Sequence, residues 1–405
     1  MMFLRQLHPG SDRIPAGLTG LVCPFMRSSP VARRPPPLSI ALLMVRIPDV
    51  MYLMAMQFSP AGLFASVLSV RSRVWCGTAC PMAALVLVTA LADHARAAAP
   101  GEPGAAAMPA IAEAAAARPA GLAGAHTALG VGPSALGVNP AGLARDTGVV
   151  YQGSLRAHLT RSGAVAWSFP AMGGQWAVSA TYVDYDVLTE TDENMNVLGT
   201  LRPFNLYPAV TYARALGEHL HVGGTFKLAH ETLGAFEGAT SAWGAGLDAG
   251  LQYQMARNLT VGAAVTNIGR QFSGYYEGDT RRGILPLAVR GGVAYQPRGN
   301  RQLTLVADAV APWHASPYVA LGAEYAVMPE WTVRGGTRWS GDDVRNLVGV
   351  IDPNAGIEER GGEAVKLAAG TTVQVGPVAV DYAAQWWREL GVVQSLTVSW
   401  QARGR

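Results

Sequence analysis

Charged residues are scarce in this sequence. Asp, Glu, Lys and Arg make up 15% of the 405 residues, whereas soluble globular domains carry about 25%. Half of the residues are hydrophobic, and the formal net charge at pH 7 is only +3. Lys and Arg are scattered rather than clustered on one predicted face, which disfavours nucleic-acid binding. The composition predicts a surface that something other than water partly covers.

Cysteine is almost absent. The three cysteines, Cys23, Cys76 and Cys80, all precede the signal-peptide cleavage site predicted below. The mature chain therefore has no thiol for a disulfide or for a Cys-based metal site. Cys80 follows Gly-Thr-Ala, as in a lipid-attachment box, but it lies before the apolar segment instead of after it. Lipidation stays the weaker alternative.

Long hydrophobic runs are missing as well. A membrane-spanning helix needs roughly 20 apolar residues, and the best run, residues 81–92, is about a dozen long. This run follows Arg71 and Arg73 and precedes Ala95-Arg96-Ala97. Basic region, apolar region and A-x-A site in that order are typical of a secretory signal peptide. We predict a signal peptide over residues 71–97, cut near Ala97, and export of the mature chain.

Residues 1–70 precede this signal peptide, although such signals normally lie within about 30 residues of an N-terminus. The segment contains three consecutive prolines at positions 35–37 and no sustained hydrophobic period. Either the start codon is misassigned or the leader is unusually long. We favour the first explanation and treat residues 1–70 as a non-native or unstructured upstream extension.

The mature chain divides into three stretches by composition. Residues 98–117 are rich in Ala and predict a linker. Residues 118–147 are apolar and punctuated by Gly and Pro, which fits neither a strand nor a long helix. From 148 to 402 the chain consists of short alternating segments separated by turn residues, which is the two-residue period of β-strands.

In these alternating segments, only one face of the predicted strand is apolar. Between positions 219 and 230, Leu220, Val222 and Phe226 fall on one face, and Thr225 and Lys227 fall on the other. We count roughly fourteen such segments of about ten residues, which suits a bacterial membrane barrel with an even number of strands. The sequence predicts an all-β fold, an antiparallel transmembrane barrel of about 14 strands. A soluble β-sandwich is the alternative.

Aromatic residues favour the membrane barrel. They fall near predicted strand ends, where they would form girdles at the membrane interfaces. The residues concerned are Tyr151, Trp167, Trp176, Tyr212, Tyr253, Tyr295, Tyr325, Trp331, Trp339 and Trp400.

Charged residues within the predicted strands lie opposite the apolar face. An ionised Arg or Lys that faces lipid near the bilayer midplane costs about 2–4 kcal/mol, so these side chains are predicted to face the lumen. They form either a mutually paired interior network or a surface that selects substrate. The candidates are Lys227, Asp248, Arg290, Asp308, Glu324, Arg334, Arg338 and Asp381.

Several short motifs resemble the PorV/PorQ family of FadL-like outer-membrane barrels. They are Gly-Leu-Ala-Gly-Ala-His-Thr-Ala-Leu at 121–129, Asn-Pro-Ala-Gly-Leu at 139–143, Val-Thr-Asn-Ile-Gly at 265–269, Leu-Gly-Ala-Glu-Tyr at 321–325 and Val-Asp-Tyr-Ala at 380–383. The resemblance implies a fourteen-stranded barrel whose N-terminal segment, residues 118–147, folds into the lumen as a hatch or plug. A tight turn ends this hatch, formed by Asn139, Pro140, Ala141 and Gly142. The chain departs from the family where Trp400 is followed by five further residues instead of a terminal aromatic.

The resemblance implies two functions. One is a passage for small or hydrophobic solutes, for which Leu122, Leu129, Leu136 and Leu143 are candidate lining or, alternatively, simple hatch packing. The other is a non-conducting component of a type IX-like secretion system that binds exported cargo through external loops. Those loops are predicted at 190–194, 271–283 and 340–361.

We favour transport, with outer-membrane lipid, the barrel-assembly machinery and a solute or cargo protein as partners. No residue pattern points to a catalytic site, a cofactor or a metal. His219 and His221 share a strand face but have no evident third metal ligand. The sequence therefore does not predict an enzyme.

Overall fold

The computed structural model describes residues 40–47, 50–59, 62–71, 106–113, 116–146, 148–157, 160–191, 194–234, 241–275, 283–341, 343, 365–387 and 391–402. The chain divides into two compact units, residues 1–74 and 75–405. Most of the predicted signal peptide and half of the Ala-rich linker lie outside the described residues. The signal peptide and the domain boundaries stay predictions.

The first unit contains a three-stranded antiparallel sheet. Its strands are β1 (Ile40–Ile47), β2 (Val50–Ser59) and β3 (Gly62–Arg71), in that order. Their sequences are nearly continuous apolar runs, so they carry no two-residue period to reveal them. This sheet lies in the segment that the sequence analysis assigns to an upstream extension, and where the native protein begins stays a prediction.

The second unit is a closed antiparallel barrel of 14 strands. The prediction of an all-β barrel with this strand number is confirmed. A small ribbon, β7 and β8, interrupts the barrel order between β6 and β9. The strands are β4 (Val149–Ala157), β5 (Arg161–Ala171), β6 (Gly174–Asp184), β7 (Leu188–Thr191), β8 (Val197–Leu201), β9 (Phe204–Leu216), β10 (Leu220–Thr232), β11 (Ser241–Ala256), β12 (Leu259–Gln271), β13 (Ala288–Tyr295), β14 (Leu303–Pro312), β15 (Tyr318–Met328), β16 (Trp331–Ser340), β17 (Val365–Val375), β18 (Val378–Trp387) and β19 (Gly391–Ala402).

The barrel closes where the last strand meets the first. β19 pairs antiparallel with β4, from Gln394 opposite Ala157 to Ala402 opposite Val149. Closure leaves no sheet edge in the barrel, so each of its strands pairs with a neighbour on both sides. No helix among the described residues is long and apolar enough to cross a membrane.

Successive side chains along each strand alternate between the outer and the inner face of the barrel wall. Phe226 and Leu247 are 48% and 52% exposed, whereas their strand neighbours Lys227 and Asp248 are 7% and 3% exposed. Large apolar residues therefore cover the outside of the barrel, and polar residues turn inward. A broad apolar exterior of this kind favours contact with lipid over contact with water.

The two ends of the barrel differ in loop length, and the end with short turns carries a stack of aromatic residues. Short turns join β5 to β6 and β17 to β18, whereas long connections join β12 to β13 and β16 to β17. At the short-turn end, Tyr151 of β4 stacks between Trp167 of β5 and Trp400 of β19, with ring centroids 6.2 and 5.4 Å apart. In bacterial barrels, short turns face the periplasm and long loops face outward.

The segment before β4 forms a series of short turns rather than strands. It comprises 3₁₀ turns at Pro109–Ala112, Gly132–Ala135 and Pro140–Arg145, with one helical turn, α1, at Ala117–Gly121. Leu122, Ala125 and Ala128 pack with Ala294 of β13 and Val306 of β14. We call described residues 106–146 the hatch, because they pack against the inner face of the wall.

Candidate functional site: the hatch and the lumen

The turn at Asn139 ties the hatch together and to the wall. The Asn139 amide Nδ2 donates to the carbonyl of Thr127 at 2.8 Å and to the carbonyl of Leu251 in β11 at 3.0 Å. Its Oδ1 accepts from the backbone N–H of Ala141 at 3.1 Å and so caps the 3₁₀ turn that Pro140 begins. Asn139 is fully buried, and its side chain satisfies two backbone acceptors and one donor.

Asp308 of β14 binds the hatch loop around His126 and Thr127, which precedes the Asn139 turn. Its Oδ2 accepts from the backbone N–H groups of His126 and Thr127, both at 2.9 Å, and from the Thr127 hydroxyl at 2.6 Å. Gln252 of β11 adds two donor contacts, to the carbonyls of Thr127 and Gly130, each at 3.1 Å. One carboxylate and one amide of the wall therefore hold this loop by its backbone.

Burial and nearby arginine charge lower the pKa of His126 in this loop. Desolvation, with a further contribution from Arg118, lowers the pKa of His126 from 6.5 to about 3. The imidazole is therefore neutral in the closed hatch over the physiological range.

A charge network fixes the start of the hatch. Arg118 donates to both oxygens of Glu324 in β15, at 2.9 and 2.8 Å. Arg334 of β16 donates to Glu324 at 3.0 Å and to Asp381 of β18 at 3.1 Å. The network alternates in sign, as paired buried charges do. Of the predicted lumenal residues, the structure brings Glu324, Arg334 and Asp381 together.

A second charge pair lies on another part of the wall. Lys227 of β10 contacts Asp248 of β11, with Nζ 2.9 Å from Oδ1. The same oxygen accepts from the backbone N–H of Asn267 at 2.8 Å. The sequence pattern predicted Lys227 and Asp248 as lumenal residues but did not predict that they form a pair. Asn267 belongs to the Val-Thr-Asn-Ile-Gly motif, and no local pattern indicated its contact with Asp248.

The remaining two predicted arginines meet at Tyr318 of β15. Arg290 of β13 donates to the Tyr318 hydroxyl at 3.2 Å, and the Arg338 guanidinium of β16 lies 3.6 Å from the Tyr318 ring centre. Neither arginine is within ion-pair distance of a carboxylate among the described residues. They are separate from the Arg118 and Lys227 groups.

A narrow cavity of about 80 Å³ lies between the hatch and one side of the wall. Its hatch side includes Ile111, Glu113, Pro133 and Leu136. Its wall side comes from β4, β5, β6, β9, β10 and β11, through Gln152, Ala164, Ala166, Ser179, Thr181, Tyr207, Ala209, Thr211, Thr225, Lys227 and Asp248. Apart from Gln152 and Val165, the residues of the wall that line the cavity are small, hydroxyl-bearing or charged.

The four hatch leucines divide between packing and lining. Leu122 and Leu143 are fully buried, and Leu129 packs against the cluster around Leu122. Leu143 packs against Ala177 of β6 and Ala213 of β9. Only Leu136 of the four lines the cavity.

A carboxylate and two tyrosine hydroxyls form a cluster at the end of the barrel with long loops. No pattern in the sequence predicted this cluster. The two oxygens of Glu231 in β10 accept from the hydroxyls of Tyr207 and Tyr275, each at 2.5 Å. Asn205 donates to the Tyr207 hydroxyl at 2.9 Å. Tyr275 follows β12, so this contact joins an external connection to the wall.

The predicted external loops are only partly described. Residues Leu188–Thr191 and Val197–Leu201 pair as the ribbon β7–β8, which carries several exposed apolar side chains. Asp192, Glu193, Tyr276 and Asp342 lie outside the described residues.

The fold is similar to that of solved hydrocarbon channels. No family model matches this sequence, and no curated protein matches it. The toluene transporter TodX of Pseudomonas putida superposes with a TM-score of 0.51 at 13% identity, over 71% of this chain and 98% of that one. A deltaS2S3 mutant of the TodX monoaromatic hydrocarbon channel gives a TM-score of 0.51 at 13% identity, over 71% of this chain and 99% of that one. At this identity the likeness establishes a common barrel fold.

Proposed function

We propose that this protein is an outer-membrane barrel of the PorV/PorQ type that acts as a FadL-like passage for small or hydrophobic solutes. It would be exported through its signal peptide and inserted by the barrel-assembly machinery. The observation that carries the proposal is the cavity between the hatch and strands β4–β6 and β9–β11 of the wall. TodX, which shares the barrel fold, is named a toluene transporter.

The contacts of the hatch support this arrangement. Side-chain hydrogen bonds between residues 117–139 and the wall go to Leu251 and Gln252 of β11, Asp308 of β14, Glu324 of β15 and Thr397 of β19. The cavity follows β4 to β6 and β9 to β11, so only β11 is common to both sets of strands. A solute on this route would pass the hatch without breaking those contacts. The low charge and apolar exterior of the chain suit a position in the outer membrane.

A cavity-filling variant tests the passage. Ala209 lines the cavity, and Val210, its neighbour in β9, is 41% exposed on the outer face. In host cells that produce the protein, we expect faster uptake of labelled toluene than in cells without it. Ala209→Phe should return uptake to the rate of the empty host, and Val210→Phe should leave it unchanged. Uptake that is insensitive to both substitutions would contradict a passage through this cavity.

One observation favours the alternative, a non-conducting component of a type IX-like secretion system. The ribbon and its flanks expose apolar side chains at the long-loop end, including Val187 at 55%, Met195 at 80% and Val197 at 69%. Exposed apolar groups of this kind are typical of protein contacts. Deletion of residues 187–201 separates the two functions. In a cargo-binding component it would abolish surface delivery of exported proteins, whereas in a passage it would leave toluene uptake unchanged.

A further inference from the structure

Asp248 has an acceptor that the protein leaves unused. The residue is 3% exposed, and its Oδ1 accepts from Lys227 and from the backbone of Asn267. Its Oδ2 is also buried and has no hydrogen-bond partner among the described residues. Leaving a buried acceptor unpaired costs about 1–3 kcal/mol, and more for a charged group. Such an oxygen is therefore suited to a donor that arrives from outside the protein.

The backbone opposite Asp248 is distorted in a way that brings an N–H group to this carboxylate. The register between β11 and β12 shifts between Leu247 and Ala249, so that Asp248 lies opposite two residues of β12, Thr266 and Asn267, in a β-bulge. Across the bulge, Asn267 has a φ of 60°, a left-handed value for a residue other than glycine. Bulges redirect side chains, and strained backbone concentrates at functional sites. The Asn267 amide also donates to the carbonyl of Pro286 at 3.0 Å, which holds this conformation.

The cavity beside Asp248 is polar on one side and apolar on the other. Asp248 and Lys227 line it together with the hydroxyl groups of Thr181 and Thr211, whereas Leu136 of the hatch is apolar. Its volume of about 80 Å³ exceeds the roughly 10–15 Å³ that one water requires. A small organic molecule therefore fits better here than a long chain.

The charges around the cavity are already balanced. Lys227 pairs with Asp248, and Glu113 of the hatch pairs with Arg156 of β4. A cationic or anionic solute would add an uncompensated charge in a buried site, which is unfavourable. A pure hydrocarbon would leave Asp248 Oδ2 unpaired. An uncharged solute with one donor group satisfies both conditions.

We propose that this cavity binds a small uncharged molecule that carries a hydroxyl group on an apolar body, such as a phenol or a short alcohol, and that its O–H donates to Asp248 Oδ2. The inference rests on the proposed passage function and names the substrate class for it. Leu136 and Ile111 of the hatch would contact the apolar body.

Binding of two matched fluorinated probes tests the inference. 4-Fluorophenol and fluorobenzene differ in one hydroxyl group, and ¹⁹F NMR measures the affinity of each for the full mature chain in detergent. A hydrogen bond to a charged group is worth about 1.5–3 kcal/mol, so the wild type should bind 4-fluorophenol roughly 10- to 100-fold more tightly. The double variant Lys227→Met/Asp248→Leu removes the charge pair while it keeps similar side-chain volumes, and it should lose this preference.

Asp381→Asn is the matched control, because Asp381 is also a buried carboxylate paired with a cation but does not line the cavity. Its ratio of affinities for the two probes should equal that of the wild type. Mobility of unheated samples on a denaturing gel verifies that each variant has formed a barrel. If a variant fails to fold, Asp248→Asn replaces the double variant in the same comparison.

The outcomes separate this inference from the passage function. Equal affinity for both probes in the wild type, together with toluene uptake that Ala209→Phe blocks, would overturn the inference and leave the passage intact. A preference that survives in the double variant would also overturn it. Absence of binding by either probe together with absence of uptake would overturn both proposals.

Discussion

Asn139 is the residue on which the hatch turn depends, since its side chain makes three buried hydrogen bonds. Asn139→Ala leaves two carbonyls and one N–H without these partners. With about 0.5–1.5 kcal/mol for each hydrogen bond, we expect the hatch to lose roughly 2–4 kcal/mol of local stability. Hydrogen exchange of the hatch amides should accelerate, while exchange in the barrel strands stays slow.

A conservative replacement separates the contributions of Asn139. Asn139→Asp keeps an oxygen for the N–H of Ala141 but cannot donate to Thr127 or Leu251. Its hatch exchange should therefore be faster than that of the wild type. If exchange in both variants matched that of the wild type, the assignment of the turn as a hatch anchor would be wrong.

His126 makes the hatch sensitive to acid. Its pKa is lowered to about 3 in the closed hatch, from an ordinary value of 6.5. Once the hatch is released, the imidazole binds a proton below about pH 6.5, whereas in the closed hatch it stays neutral until near pH 3. Protons therefore favour release, and hatch stability should be full above pH 6.5 and fall steadily towards pH 3.

Protection factors corrected for the intrinsic pH dependence of exchange measure this effect. His126→Leu removes the titrating group and fills a buried position with an apolar side chain of similar size. In this variant, we expect the protection of the hatch amides from hydrogen exchange to vary much less between pH 7 and pH 4. An equal loss of protection in the wild type and in His126→Leu would assign the acid sensitivity to other groups.

At the residue scale, the sequence predicted types of side chain better than their partners. Asp308 was expected on the inner face because a charge facing lipid is costly. Its contacts with His126 and Thr127 span 182 and 181 positions of sequence, and such contacts depend on strand register that local pattern does not determine. Asn139 was predicted as part of a tight turn through the family resemblance, without its partner Leu251.

Glycines of the wall allow the hatch to approach closely. At Gly250 of β11, an added Cβ would lie 2.0 Å from Asn139 Oδ1 and 3.0 Å from the Pro140 ring. At Gly262 of β12, it would lie 2.5 Å from the carbonyl oxygen of Thr127. The Asn139 amide is held by three hydrogen bonds and the Thr127 carbonyl belongs to the backbone, so neither group can move aside without losing contacts. These strands therefore need glycine where the hatch backbone meets them.

Gly250→Ala should displace the hatch without opening the barrel. Limited proteolysis should cut within residues 121–142 more quickly, while unheated samples keep the compact gel mobility of the barrel. Gly153→Ala in β4 is the matched control, because a Cβ there meets no atom within 4 Å. Equal cleavage rates in the two variants would contradict close contact between hatch and wall at Gly250.

Strand number was predictable because the two-residue period repeats along every strand of the barrel. The bulge opposite Asp248 was not predictable, because it depends on how β11 and β12 pair rather than on the sequence of either strand. The sheet β1–β3 was not predictable either, because its continuous apolar runs have no alternation. The hatch, built from 3₁₀ turns and one helical turn, was predicted by resemblance and not by period.

For the molecule as a whole, the wall and the hatch are stabilised separately. The barrel ladder runs from β4 to β6, continues from β9 through β19 and returns to β4, with hatch residues in none of its pairs. The hatch contributes side-chain and backbone contacts to the inner face, through residues such as Arg118 and Asn139. The barrel should therefore survive removal of the hatch, since its backbone hydrogen bonds do not depend on it.

A mature chain that begins at residue 148 tests this separation. We expect it to form a barrel with strand-rich circular dichroism and gel mobility that changes on boiling. In planar bilayers it should conduct ions steadily, because the lumen loses the segment that fills it, whereas the complete mature chain should stay near the baseline. Addition of Arg118→Ala to the complete chain should give an intermediate result, with brief openings, since Glu324 then loses its hatch partner. A deletion variant that folds but does not conduct would mean that wall side chains or external loops close the lumen, and the hatch would then be a support for the binding cavity rather than its barrier.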